Sequence, residues 1–252
     1  MQIGCSGSGP DLVLLHGWGM RACVWDEVVA ELAPGFRVHN VSLPGYASSA
    51  ACRPYTLDTG TAAWAAALPP RVSVCGWSLG GQLALRWALL RPRQIARMVL
   101  IASTPRFVRG PGWKNGVDEA VLRAYAQDLT HDAGGALKRF ALLQTQGDAA
   151  ARKVSRRLLT CLAAPGEAGI AALLAGLQIL EDTDLRNELA EISQPALILH
   201  GERDRLVPLA AAEFLQRWLP DSTLETIAGA AHAPFMTRPQ EISRRIAAFC
   251  HD

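Results

Sequence analysis

Short continuous apolar runs punctuate this chain, and between them apolar positions recur every three or four residues. The runs are Leu12–Leu15, Phe36–Val41, Val74–Trp77, Met98–Ala102, Ala196–Leu199 and Ser222–Ile227. Runs of this length, bounded by turn residues, predict buried parallel strands. The intervening segments predict helices. Val24, Val28 and Leu32 lie four apart on one face; Thr56 can cap a helix through Ala67, with Asp58 in its first turn. Gln82–Leu90 reads as a helix ending near Arg91-Pro92, and Ala210–Trp218 and Pro239–Cys250 read as two more. Strands alternating with helices predict an α/β fold: a mostly parallel sheet with right-handed crossovers and helices on both faces.

The rhythm breaks after Ser103-Thr104-Pro105. From Arg106 to Asp184 no strand pattern is present, and helical periodicity covers Asp118–Leu129, Gly135–Thr145, Asp148–Cys161 and Ile170–Leu180. The expected organisation is a core made of residues 1–105 and 185–252, with residues 106–184 as an all-helical lid inserted over the strand ends. Gly110-Pro111-Gly112 and Thr183–Glu188 are the expected hinges.

Composition narrows the function classes. A chain of 252 residues, half of them hydrophobic and 19% charged, can bury the core of one large α/β domain. A net charge of +2 gives no global electrostatic case for nucleic acid. The cysteines Cys5, Cys23, Cys52, Cys75, Cys161 and Cys250 are scattered without a C-x-x-C, so free thiols in a reducing compartment are expected and a metal site is not. The first residues lack a basic region followed by an apolar one, and no run of about 18 apolar residues occurs. These features together predict a cytoplasmic protein without signal peptide or membrane span; a monomer is expected.

The chemistry is concentrated at Gly76-Trp77-Ser78-Leu79-Gly80, which fits the G-x-S-x-G nucleophile elbow and sits between a predicted strand and a predicted helix. Raising a serine hydroxyl above a sheet needs a strained backbone, and the flanking glycines leave room for it. The helix that follows turns free N–H groups and a positive dipole end towards a developing oxyanion. Serine needs a base, and the base an orienting acid. In chain order these should follow as acid, then histidine, each past a strand end. Asp204 lies beyond the strand ending at His200-Gly201, and His232 lies beyond the last strand. Each residue alone has a plain structural alternative: a glycine-rich turn for Ser78, a polar loop for Asp204, a capping role for His232. Their joint order is what chance does not readily supply. His39, His131, His200 and His251 lack this placement, and Glu202 is the reserve acid.

The chain resembles the α/β-hydrolase superfamily along its full length. Within it, the chain resembles the pimeloyl-[acyl-carrier protein] methyl ester esterase family of biotin synthesis. The residues that carry this are Leu14-Leu15-His16-Gly17-Trp18-Gly19-Met20, Gly76-Trp77-Ser78-Leu79-Gly80-Gly81, Phe140-Ala141-Leu142-Leu143-Gln144-Thr145 and Ala230-Ala231-His232-Ala233-Pro234-Phe235. Leu177-Gln178-Ile179-Leu180 and Thr183-Asp184-Leu185-Arg186 add to them. The tryptophans Trp18 and Trp77 are more distinctive than the superfamily pattern.

The resemblance implies the α/β-hydrolase fold and an oxyanion hole formed by the backbone N–H groups of Trp18 and Leu79, with His16 shaping its loop. It implies substrate contacts at Trp18, Phe140 and Gln144, although plain helix packing also accounts for Phe140. It implies ester hydrolysis through an acyl-enzyme, with methanol as the leaving product and no cofactor or metal. Between Lys138 and Arg157, six basic residues face one acid, Asp148. By resemblance Arg139, Arg152 and Arg156 dock an acidic acyl-carrier protein that bears the pimeloyl methyl ester; a solvated helix face is the plain alternative. A broad short-chain carboxylesterase and a non-catalytic binding relative are the competing functions. Ser42 stands where related enzymes usually carry aspartate, and Ala47 where they usually carry glycine.

Overall fold

The computed structural model describes residues 2–46, 49, 52–163 and 167–251. Seven strands form one sheet: β1 (Ile3–Ser6), β2 (Asp11–Leu15), β3 (Arg37–Val41), β4 (Val72–Trp77), β5 (Ile95–Ile101), β6 (Ala196–Gly201) and β7 (Ser222–Ile227), in the order β1-β3-β2-β4-β5-β6-β7. All pairings are parallel except β1 with β3, which is antiparallel. The short segment before Asp11 thus supplies an edge strand outside the parallel set.

The central runs, in β2, β4, β6 and the second half of β5, are buried on both faces, whereas β7 at the sheet edge is largely half-buried or exposed; along the central strands alternate residues serve different helical layers. Val13, Leu15, Val74, Met98, Leu100 and Ile198 join one core; Leu12, Leu14, Cys75, Val99, Ile101 and Leu199 join the other. On the first side pack α2 (Leu57–Ala65), α3 (Leu79–Leu90) and α7 (Leu209–Trp218); on the second pack α1 (Asp26–Leu32) and α9 (Pro239–His251). This two-sided burial is why the strands are continuous apolar runs and not alternating ones. Thr56 caps α2 as the sequence suggests, and Thr59 completes a reciprocal capping box.

Among the described residues, the chain between β5 and β6 adds no strand to this sheet. It carries α4 (Glu119–Leu143), α5 (Ala151–Thr160) and α6 (Glu167–Asp182). The two helices expected at 118–129 and 135–145 are both present as the two halves of α4, separated by a kink at Asp132, whose φ of −146° and ψ of 76° are non-helical. Asp132 Oδ1 accepts the Gly135 N–H at 2.8 Å and so caps the second half. The ends of the excursion are tied together. Arg106 pairs with Asp184 at 2.5 Å, and the Leu185 N–H donates to Pro105 O at 3.0 Å. Burial would raise the Asp184 carboxyl, but hydrogen bonds from Arg186 and Arg106 bring it down to about 2. The Gly110–Trp113 turn, expected as a hinge, is closed by two backbone hydrogen bonds of 2.9 Å. A short helix, α8 (Pro234–Thr237), occupies part of what reads as a loop in the sequence.

The strands and α3 meet so closely that side chains are excluded. A Cβ on Gly76 would lie 2.2 Å from Gly80 O, and one on Gly80 would lie 2.3 Å from Leu15 O. Both obstacles are backbone and cannot rotate away. Gly80→Ala is therefore expected to destabilise the fold by about 3 kcal/mol or more, the upper range for an overpacked core site. Urea unfolding checks this: an unchanged midpoint would mean that the β2–α3 contact is not as tight as described.

Candidate active site

Ser78 links β4 to α3, with a φ of 55° and a ψ of −116°, a combination rarely adopted by a residue with a side chain. Its N–H donates to Ile101 O at 2.9 Å, and its carbonyl accepts from the Gly81 N–H at 2.9 Å and the Ser103 hydroxyl at 3.0 Å. The strain is thus held in place by β5 and the residues just beyond it. Ser103 carries no motif, and its part in this arrangement is invisible in the sequence.

Asp204 and His232 are brought together from the loops after β6 and β7. His232 Nδ1 donates to Asp204 Oδ2 at 2.7 Å, and both side chains are almost completely buried. The other carboxylate oxygen accepts the N–H groups of Leu206 and Val207 at 2.9 Å each. Burial pushes the Asp204 carboxyl up, yet the adjacent imidazole and these hydrogen bonds outweigh it and hold it below its ordinary value. Asp204 is therefore ionised at neutral pH and fixes the tautomer of His232, leaving Nε2 as the free base. Nε2 is buried and has no hydrogen-bond partner among the described residues. No hydrogen bond joins it to Ser78 here; such contacts often tighten only with substrate.

His200, at the end of β6, lies on the other side of Asp204, with its Nε2 3.6 Å from Oδ2. It donates to Val207 O at 2.8 Å, and burial keeps it neutral against the pull of Asp204. Glu202 is exposed and accepts the Gly229 N–H at 2.8 Å, so it supports the histidine loop but does not touch His232.

Trp77 joins the elbow to the histidine loop. Its indole N–H donates to His232 O at 2.8 Å, and its ring packs against Phe235 and beneath Gly17. Among the described residues the N–H groups of Trp18 and Leu79 have no acceptor. His16 is fully buried; its Nδ1 donates to Gly17 O at 2.9 Å and its Nε2 accepts the Leu43 N–H at 3.1 Å. Both nitrogens are committed to backbone, which makes His16 a shaper of the loop.

The inserted helices contact the loop after β2. Trp18 donates to Leu173 O at 2.8 Å and meets Phe140 edge-on, with ring centroids 4.7 Å apart. Phe140 also packs on Tyr125, so it belongs to the helix packing as well as touching Trp18. Gln144 is buried; its carbonyl accepts the His232 N–H at 3.2 Å, while both side-chain polar atoms are unpartnered among the described residues. Of the basic residues, Arg139 pairs with Asp128, and Arg157 turns inward to Glu27 and Met236 O. Arg152, Lys153 and Arg156 are exposed, with no ion pair among the described residues. The only acid in that stretch, Asp148, is buried and bound to the histidine loop. Ser42 is buried beside β3, and Ala47 lies outside the described residues.

Residues 12–245 match the model of the alpha/beta hydrolase family. The chain belongs to that family. A protein of Nitrosomonas europaea named pimeloyl-[acyl-carrier protein] methyl ester esterase is 42% identical to this hydrolase over 241 residues, 96% of each chain. One of the same name from Xanthomonas campestris is 43% identical over 250 residues, covering 99% of this hydrolase and 98% of the relative. Among solved structures, an esterase from Exiguobacterium antarcticum superposes with a TM-score of 0.87 at 22% identity, over 99% of this hydrolase and 95% of that chain. A bromoperoxidase from Bacillus anthracis gives 0.86 at 24%, with the same coverage. These two superpositions establish the fold. Among the described residues, no group of three or more His, Cys, Asp or Glu could hold a metal ion.

Burial lowers the imidazole of His16 from 6.5 to about 4. The unfolded chain therefore takes up a proton near 6.5 that the folded hydrolase refuses until about 4. Stability from this group is complete above the upper value and falls as pH drops through the window, by about 3 kcal/mol in all. Urea unfolding across this range should show that loss, and His16→Asn should flatten it; an equal slope in the variant would contradict the assignment.

Proposed function

We propose that this hydrolase is a serine carboxylesterase that cleaves the methyl ester of pimeloyl-[acyl-carrier protein], releasing methanol and freeing the carboxylate for biotin synthesis. The observation that carries the proposal is the buried Asp204–His232 pair at 2.7 Å beside the strained elbow of Ser78. The names of the relatives, 42–43% identical over nearly the whole chain, supply the substrate.

Ser78 Oγ attacks the ester carbonyl carbon while its proton passes to His232 Nε2. The Trp18 and Leu79 N–H groups hold the oxyanion; removing one such donor typically costs about 3 kcal/mol of transition-state stabilisation. The tetrahedral intermediate expels the methoxy group, which takes the proton from His232 and leaves as methanol. Water then attacks the acyl-Ser78 carbonyl, giving its proton to His232. The second intermediate collapses to the free acid as the proton returns to Ser78 Oγ. Asp204 stays ionised throughout and stabilises the imidazolium.

Residues 106–184 act as the lid, with Trp18, Phe140 and Gln144 lining the acyl site. Arg152 and Arg156, exposed and one helical turn apart on α5, steer and dock the acidic carrier, with Arg139 beside them. The enzyme works as a monomer in the cytoplasm and binds neither nucleic acid nor membrane. Among the described residues no helix is long and apolar enough to cross one.

Assays on pimeloyl-[acyl-carrier protein] methyl ester beside nitrophenyl esters test the proposal. The carrier ester should be the better substrate by kcat/KM, and Ser78→Ala should abolish both activities, by about 10⁶-fold in kcat. Cleavage of the small esters alone would leave a broad short-chain esterase in its place. Reversing charge at Arg152 and Arg156 together should raise KM for the carrier substrate about tenfold or more and leave small esters unaffected. Equal losses on both substrates would remove the docking role.

A further inference from the structure

The loop that carries His232 is held from the lid side by one buried carboxylate. Asp148 lies between α4 and α5 and is 8% exposed. Its Oδ2 accepts the Ala231 N–H at 2.9 Å and the Thr237 hydroxyl at 2.8 Å. These two donors bracket His232, one just before it and one at the end of α8. Its Oδ1 accepts the Ala150 N–H at 2.7 Å and so anchors the carboxylate to the start of α5. Neighbouring backbone strengthens the seam: Ala149 N–H donates to Gly229 O at 2.9 Å, and His232 N–H donates to Gln144 O at 3.2 Å.

We infer that Asp148 is a positioning residue for His232, through which the lid holds the imidazole in register with Ser78. Asp204 orients the ring from the β6 side but touches only Nδ1. It cannot set the height of the loop. Trp77 holds His232 O from below. Asp148 adds a side-chain support from the inserted segment, beside the backbone bonds of Gln144 and Ala149. The segment 144–149 is thereby part of the active-site frame. Any opening of the lid must occur elsewhere in it.

The inference rests on the proposed roles of Ser78 and His232, and the two can fail separately. Three variants are measured on a small nitrophenyl ester, which avoids the carrier-docking surface: Asp148→Ala, Asp148→Asn and Thr237→Val. The alanine variant should lose about 10²-fold in kcat, the scale of an ångström-sized misplacement, with KM unchanged. Asparagine can present its amide oxygen where Oδ2 sits and keep both loop donors, but its NH2 group then faces the Ala150 N–H, donor against donor. It should therefore recover part of the loss. Thr237→Val removes one hydrogen bond without touching Asp148 and should cost about tenfold in kcat.

Should Asp148→Ala fail to fold, the asparagine and valine variants carry the test. Full kcat in Thr237→Val, or in a folded Asp148→Ala, would overturn the inference. So would an asparagine variant as impaired as the alanine one. If Ser78→Ala keeps its activity, the proposed function itself falls. If Ser78→Ala is dead and the Asp148 and Thr237 variants are not, only the positioning role falls.

Discussion

The geometry around Ser78 depends on one constraint: a non-glycine residue is held at positive φ between a strand and a helix that nearly touch. The strain is sustained because the surroundings leave no alternative. Gly76 and Gly80 approach backbone at distances no side chain tolerates, and Ile101 O and Ser103 Oγ grip the Ser78 peptide from β5 and its exit. The elbow then sets where everything else must be. Trp77, one residue before the serine, reaches the loop after β2 at Gly17 and the histidine loop at His232 O. A single indole thus spaces three loops that come from distant parts of the chain.

Charge is managed by the same economy. Two histidines, His200 and His232, flank one buried carboxylate, yet only His232 is hydrogen-bonded to it by a ring nitrogen. Burial keeps His200 neutral, and its N–H is spent on Val207 O, so the negative charge of Asp204 is directed to one partner. His16 illustrates the opposite use of the same side chain. Both its nitrogens serve backbone groups, and burial holds it neutral, so it shapes the loop after β2 without adding charge to it. The segment inserted between β5 and β6 takes part as well: through Gln144, Ala149 and Asp148 it supports the loop that carries His232.

Much of the fold was legible because its central strands are buried on both faces. Continuous apolar runs such as Leu12–Leu15 and Met98–Ile101 have no other stable home. The elbow was legible for a related reason: the glycines it requires are forced by backbone contact. Asp204 and His232 could be proposed from order alone, since the topology sends the ends of β6 and β7 to one edge. The break at Asp132 was legible too, as the gap between the helical runs 118–129 and 135–145. Two other features were not. Ser103 acts through a hydroxyl-to-carbonyl contact that leaves no spacing signature. Asp148 read as the lone acid in a basic, solvated stretch, whereas its carboxylate is buried 83 residues away in sequence from the N–H it binds. Long-range polar contacts of this kind follow from packing, and no local pattern reports them.

The central claim is that Ser78, His232 and Asp204 form one nucleophilic unit. Labelling the folded protein with a fluorophosphonate and locating the adduct by peptide mass spectrometry tests it most directly. Modification is expected at Ser78 alone, slowed by about 10⁴-fold in Asp204→Asn, the penalty for losing the orienting acid. Labelling at another residue, no labelling of the folded chain, or an unchanged rate in the asparagine variant would contradict it.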